Sequence, residues 1–315
     1  MTEPTSIKTG SAPAAAEHAP SADTAANGGP QKERTASLWA DAGRDLIRNP
    51  VFVVSSIVIL IVLSMALVPS LWTSADPTDC DINFAKQPPG DGHPFGFSIQ
   101  GCDYYAQTIY GAGPSIAVAV FATLGAVTLG SLIGILSGYY GGWVDAVLSR
   151  LTDIFLGLPF LLGALTLLSL LPVRNVWTVV IALIAMGWTS VARIMRGSVI
   201  ATKNMDYVQA ARSLGASDAR IIFRHVLPNA IAPVIVVATI ALGGYVATEA
   251  TLTFLGVGLR PPTVSWGVMI TQGQQLVLSG VPHLLLFPVG FLVATVLAFI
   301  LIGDALRDAL DPKLR

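Results

Sequence analysis

Few residues in this chain could do chemistry. None of its histidines, His18, His93, His225 and His283, precedes a glutamate, so the HExxH zinc arrangement is missing. No lysine follows a glycine, which removes the Gly-Lys-Ser/Thr phosphate loop, and there is no Gly-x-Ser-x-Gly nucleophile elbow. Cys80 and Cys102 are the only cysteines, and they form neither a CxxC pair nor a Cys/His cluster for a metal. Glu249 is the acid that lies inside an apolar run; an acid in hydrocarbon is expensive and should face a cavity or a partner. Two readings of it stand, a place near the outer end of a translocation path or gate, and a hydrogen bond to a neighbouring helix. Asp153 and Asp304 border other apolar runs, which is sparse for a proton relay. The chain is therefore expected to be non-catalytic, with no cofactor or metal of its own.

Hydropathy sets the elements that hold these residues. At 53% hydrophobic and 12% charged, the composition is far from the roughly 25% charged residues of a soluble domain, so most of the chain is expected in lipid. Apolar runs near the roughly 20 residues that a crossing helix needs fall at 51–71, 116–136, 154–171, 176–194, 230–255 and 284–302. The expected class is all-α, a polytopic membrane protein with six transmembrane helices. With the amino terminus inside, fifteen of the 18 lysines and arginines lie on the inner side, leaving Lys86, Arg174 and Arg260 outside. Under the positive-inside rule that bias places both termini in the cytoplasm. A net charge of -1 gives no reason to expect nucleic acid.

Residues 1–37, rich in Ala, Ser, Thr, Pro and Gly, read as a disordered cytoplasmic tail. A cleaved signal peptide is not expected, because the first apolar run begins only at Val51. An interfacial helix over 38–50 leads into the first span. An extracytoplasmic loop over 72–113 precedes a core over 114–304, and 305–315 is a cytoplasmic end. The loop holds both cysteines and a single base, Lys86. In the second span Gly130, Gly134, Gly138 and, just past it, Gly142 recur at every fourth position, a stripe that lets helices pack backbone to backbone. Residues 139–145 then read as a tight inner turn. Beyond Glu249, 264–278 has helical apolar spacing, and with Trp266 as an interface anchor it is expected to lie at the outer surface.

The interruption at 204–229 is polar. Tyr207, Ala210, Ala211 and Leu214 fall three or four apart and share one helix face. Asp206 is placed to cap that helix, with Gln209 reaching back. Gly215 can end it in the left-handed conformation, and Ser217 and Asp218 can start a second helix through Ile221, Ile222 and Val226. Alanines on an exposed face let another surface approach the backbone closely, so this elbow reads as a socket for another protein; the plainer alternative is a loop folded on itself. His225 is expected to hydrogen-bond a nearby carbonyl, and Arg212, Arg220 and Arg224 to be solvated inner-side charge or contacts for anionic lipid.

Gln209-Ala210-Ala211, three residues, Gly215 and then Leu227-Pro228 resemble the EAA signature of permease subunits of bacterial ABC importers, with Gln209 in place of Glu and His225 in place of Ile. Tyr139-Tyr140-Gly141-Gly142-Trp143-Val144-Asp145, 220–229, Thr253-Phe254-Leu255-Gly256-Val257-Gly258, 261–267 and 301–312 are similar to the second permease subunit of dipeptide, oligopeptide and nickel importers. In this chain Gly101-Cys102-Asp103 stands where that family has Gly-Arg-Asp. The resemblance implies a type I ABC importer permease fold with cytoplasmic coupling helices, in a bacterial cell membrane. It also implies a related permease as heterodimer partner, two cytoplasmic ATPase subunits that bind ATP and Mg, and an extracytoplasmic binding protein. The cargo would be peptides or, alternatively, nickel or other small solutes. Tyr207, Gln209, Ala210, Ala211, Arg212, Leu214, Gly215, Leu227 and Pro228 would be the ATPase-coupling residues. A stand-alone secondary transporter would instead show inverted repeats and a charged midplane cluster, and neither is clear in the sequence.

A Cys80–Cys102 disulfide is expected, since the outside is oxidising, and closing the loop would stabilise it by about 3 kcal/mol. Alkylation without reductant should therefore leave the mass of the chain unchanged; a shift of two adducts would show free thiols.

Overall fold

The computed structural model describes residues 38–90 and 92–310. The expected tail at 1–37 and the last residues, 311–315, lie outside the described residues. Helix α1 (Leu38–Arg48) gives way at Asn49, whose side chain accepts from Val51 N at 2.9 Å and caps α2 (Pro50–Leu67). Pro50 has no N–H for the preceding helix but suits a first turn, so the chain breaks there. α2 ends at Leu67 rather than at 71 because Pro69 disfavours a helical Val68; a 3₁₀ turn, Pro69–Leu71, follows.

The loop after α2 is closed by a Cys80–Cys102 disulfide with an S–S distance of 2.03 Å. It ends ten residues earlier than expected. Asp103 Oδ1 accepts from Ala106 N at 2.7 Å, and from this cap α3 (Tyr104–Tyr140) runs for 37 residues. Its first turns carry hydroxyl and amide side chains that suggest a loop, yet much of this segment is buried. Tyr104 Oη, for example, donates to the Leu284 carbonyl at 2.5 Å.

The third crossing is not the continuous span expected over 154–171. α4 (Gly142–Leu156) and α5 (Phe160–Leu170) meet at an 85° bend. Pro159 pushes Leu158 out of the helical region and offers no N–H, which breaks the run after Gly157. With 11 residues, α5 spans only about 16 Å of the roughly 30 Å hydrocarbon layer, so the pair together supplies one crossing. An Asn175–Thr178 capping box opens α6 (Val176–Lys203). Then come α7 (Asp206–Ser213), α8 (Asp218–Ile221), a π turn (Ile222–Val226), α9 (Leu227–Ala230), α10 (Ala232–Phe254), α11 (Trp266–Gly273) and α12 (His283–Leu310). Among the described residues α2, α3, α6, α10 and α12 are long and apolar enough to cross a membrane, six crossings in all if the bent pair is one. The bundle has a loop end, carrying the disulfide, and an elbow end, carrying α7 to α9.

α3 and α6 form the central contact. A methyl group at Gly134 would lie 2.6 Å from the Ala192 carbonyl oxygen, and one at Gly138 2.9 Å from that of Arg196, so the backbones touch where the stripe predicts. Gly142 is not part of this stripe. It has open space around it and a φ of +54°, and with Gly141 (φ +68°) it makes the turn into α4.

α11 also departs from expectation. Its α-helical part is Trp266–Gly273 and continues into a 3₁₀ turn, Gln274–Ser279, so helix covers most of 264–278, but the α-helical part is packed into the bundle instead of lying at its surface. Trp266 is 0% exposed, and its indole N–H donates to the Thr108 carbonyl at 2.9 Å. Gly267 permits this seating, since a methyl there would lie 2.9 Å from Ala250 Cα.

Gly134→Ala should destabilise the subunit by about 1–3 kcal/mol through overpacking against α6. Gly290→Ala, where nothing lies within 4 Å, should not. Denaturant midpoints in detergent, followed by circular dichroism, compare the two.

Candidate functional site

The elbow is built from short pieces. α7 begins one residue earlier than its sequence suggests, with Met205 at the cap position, so Asp206 is its first residue and no side chain caps it. Gln209 does reach back, but past the helix start, and its amide donates to the Lys203 carbonyl of α6 at 3.1 Å. That carbonyl is one of those a helix end leaves unpaired. α7 closes through Gly215 (φ +79°), with Gly215 N on Arg212 O at 3.0 Å and Ala216 N on Ala211 O at 3.1 Å. After α8 the helix widens into the π turn, and Leu227 N bonds the Ile222 carbonyl, five residues back. Pro228 accounts for the widening: it cannot donate to Arg224 O and would clash with it in a regular helix.

The elbow rests on a second core at its end of the bundle. Val208, Ile221 and Val226, all 0% exposed, pack with Met195 and Val199 of α6 and with Tyr139 of α3. Tyr139 Oη donates to Asp218 Oδ1 at 2.7 Å, while the Arg212 guanidinium sits 5.9 Å from the centre of the same ring. Lys203 Nζ donates to the Gly138 and Tyr139 carbonyls at 2.6 and 3.2 Å, filling acceptors that the end of α3 leaves open. Behind them, Arg196 grips Asp145 through Nε and Nη2, both at 2.6 Å. Asp145 also accepts from Ser149 at 3.0 Å and from Ser137. The elbow is thereby tied to α3 and α6, and the Asp145–Arg196 pair ties α4 to α6.

Its other side has no internal partner of that kind. Leu214 is 88% exposed, Phe223 68%, Met205 50% and Tyr207 45%, with Ala210 exposed and Ala211 half-buried among them. The shared face of Tyr207, Ala210, Ala211 and Leu214 therefore points outward, and Val208 is the buried residue of α7. Arg212 and Pro228 are exposed and Leu227 is half-buried. An apolar face of this kind on a short helix marks an interaction surface. At His225 it is the backbone carbonyl that accepts, from Asn229 Nδ2 at 2.7 Å. Sequence reading assigned no site role to Val208 or Phe223, and did not pair Tyr139 with Asp218. For Val208 a signal existed, a β-branched residue on the far side of the helical wheel from Ala210.

Glu249 lies toward the loop end. It is 0% exposed and enclosed by hydroxyls from Ser115, Thr253 and Ser265 at 3.2, 3.0 and 3.2 Å. It meets neighbouring elements through these hydrogen bonds. A cleft of about 510 Å³ lies where α4 and α5 break, lined by Phe155, Pro159, Met186, Ser190, Tyr245 and Thr248 among others.

Residues 130–315 match the family described as binding-protein-dependent transport system inner membrane component, and 37–89 match the N-terminal TM domain of oligopeptide transport permease C. The chain is 36% identical over 296 residues to the oligopeptide transport system permease protein OppC of Bacillus subtilis, covering 94% of this chain and 96% of that one. It is 36% identical to the dipeptide transport system permease protein DppC of the same organism, covering 90% of this chain and 88% of that one. To the glutathione transport system permease protein GsiD of Pectobacterium atrosepticum it is 32% identical, covering 88% and 92%. A crystal structure of an amino acid ABC transporter with histidines is similar over 67% of this chain and 94% of that chain, at a TM-score of 0.46 and 18% identity.

Tyr139→Phe removes the hydroxyl that ties α8 to α3, a loss of about 1 kcal/mol. Amide exchange across 206–226 should quicken several-fold while α3 and α6 stay protected; unchanged exchange would show that the bond does not hold the elbow.

Proposed function

The chain belongs to the family of binding-protein-dependent transport system inner membrane components, and from that premise we propose that it forms half of the translocation pathway of an ATP-driven peptide importer. The observation that carries this reading is the elbow, with small and apolar residues outward and a buried core shared with α3 and α6 inward, behind which Arg196 pairs with Asp145 of α4. The names of its relatives favour di- or oligopeptides as cargo.

In this reading the elbow end faces the cytoplasm, as the distribution of Lys and Arg supports, and the disulfide loop faces the oxidising exterior. A groove on a cytoplasmic ATPase subunit receives Tyr207, Ala210, Ala211, Leu214 and Phe223, with Arg212 at the edge. Gly215 and Pro228 set the angles of the elbow. A related permease completes the pathway, two ATPase subunits bind the ATP and Mg, and an extracytoplasmic binding protein delivers cargo. Closure of the ATPase pair pushes the elbow. Because Tyr139 and the shared core join it to α3 and α6, and Arg196 joins α6 to Asp145 of α4, the push rocks the bundle as a body and exposes the pathway to alternate sides. The cleft at the α4–α5 break, largely apolar but with hydroxyls from Ser190, Tyr245 and Thr248, is this subunit's contribution to that pathway. Such a lining suits cargo recognised by its backbone amides more than by its charge.

Ala211→Glu places a charge and bulk on the seating face. Gly215→Val puts a β-branched residue at φ +79°, a strain of roughly 1–2 kcal/mol. Both variants should insert and assemble, yet lose peptide uptake by about tenfold or more while ATP hydrolysis continues, for each tenfold needs only about 1.4 kcal/mol of lost coupling. Uptake at the parental rate by both would remove the basis for this assignment.

A further inference from the structure

Resting on the importer reading, we infer that Glu249 is a positioning residue that holds the loop end in the shape which the delivering protein must meet. Three relays converge on its carboxyl group. Trp266 N donates to Ser115 Oγ at 3.2 Å, and that hydroxyl donates to Glu249 Oε2. Val268 N donates to Ser265 Oγ at 3.2 Å, and Leu259 N to Thr253 Oγ1 at 3.1 Å; both hydroxyls donate to Glu249 Oε1. Each hydroxyl accepts a backbone N–H and lies within hydrogen-bond distance of Glu249, so the carboxyl group is met at both oxygens.

Those backbone N–H groups belong to the α10–α11 connection and to the first turn of α11, whereas Ser115 belongs to α3 and Glu249 and Thr253 to α10. One side chain therefore fastens three segments. Gly267 adds to this, since a methyl there would lie 3.0 Å from Glu249 Oε1. α11 and the Pro261-Pro262 turn form one wall of a cleft of about 430 Å³ at the loop end, and the disulfide-closed loop with Gln107 forms the other. The width of that cleft is then set by the Glu249 relays on one side and by the covalent loop on the other. A surface fixed in this way is ready for docking, because little ordering entropy is left to lose on contact.

Glu249→Gln keeps the shape but turns one acceptor into a donor, so one relay meets a donor facing a donor. The assay is ATP hydrolysis by the assembled importer in nanodiscs, with and without its own binding protein loaded from a tryptic digest of casein. Glu249→Gln should leave basal hydrolysis unchanged and cut the stimulation by binding protein about tenfold, as expected for leaving a buried donor unmatched. Ser265→Ala, which removes one donor and keeps the carboxyl group, should fall between parent and Glu249→Gln. Should Glu249→Gln not assemble, Ser265→Ala and Ser115→Ala carry the test, and parental stimulation in both would overturn the inference. Parental stimulation in Glu249→Gln would do the same. An assembled parental complex that hydrolyses no ATP would defeat the importer reading, and this inference with it.

Discussion

The close approach of α3 and α6 is the constraint on which the other parts depend. Lipid offers no hydrophobic drive for one helix to prefer another, so the pair is held by van der Waals contact at the separation that Gly130, Gly134 and Gly138 allow. Side chains in their place would part the two backbones. The register of α6 would then be lost, and with it the meeting of Arg196 with Asp145 and of Lys203 with the carbonyls at the end of α3. These polar contacts act as locks on a geometry that glycine permits. In a low-dielectric setting an unmet member of such a network is costly, which sharpens the preference for one arrangement.

Two polar assemblies stand at opposite ends of this spine and differ in kind. At the elbow end the groups are charged pairs and an aromatic ring, spread over α3, α4, α6 and the short helices, and they brace a surface whose apolar residues point away. Toward the loop end a single carboxyl group gathers hydroxyls and backbone N–H groups inside the packing. Both join elements distant in sequence. α3, at 37 residues, runs from the cap at Asp103 to Tyr139 and Tyr140, so one stiff element links the two ends.

How far a residue's role could be read depended on whether its partner lay nearby in the chain. Gly130, Gly134 and Gly138 of the stripe and the left-handed Gly215 obey local rules, and each appears where those rules put it. Asp206 shows the limit even there: one residue of helix shift turned an expected cap into a first-turn residue, and Gln209 found Lys203 O instead. Trp266 shows a stronger one. An amphipathic stretch with a tryptophan suits a membrane interface and a buried helix equally well, and the choice fell to Gly267 and to the Thr108 carbonyl, more than 150 residues away in the chain.

By itself the sequence determined the membrane-spanning class, the approximate crossings and the small-residue elbow, because hydropathy, glycine spacing and helix-end chemistry act over one or two turns. Only the tertiary structure decided that the Tyr207 face looks outward while Val208 is buried, that Glu249 is enclosed by hydroxyls, and that the third crossing bends at Pro159. The physical reason is the same in each case. A helical wheel gives the faces of a helix but not which face a neighbour will cover, and a buried acid's partners come from chain segments whose meeting is settled by packing.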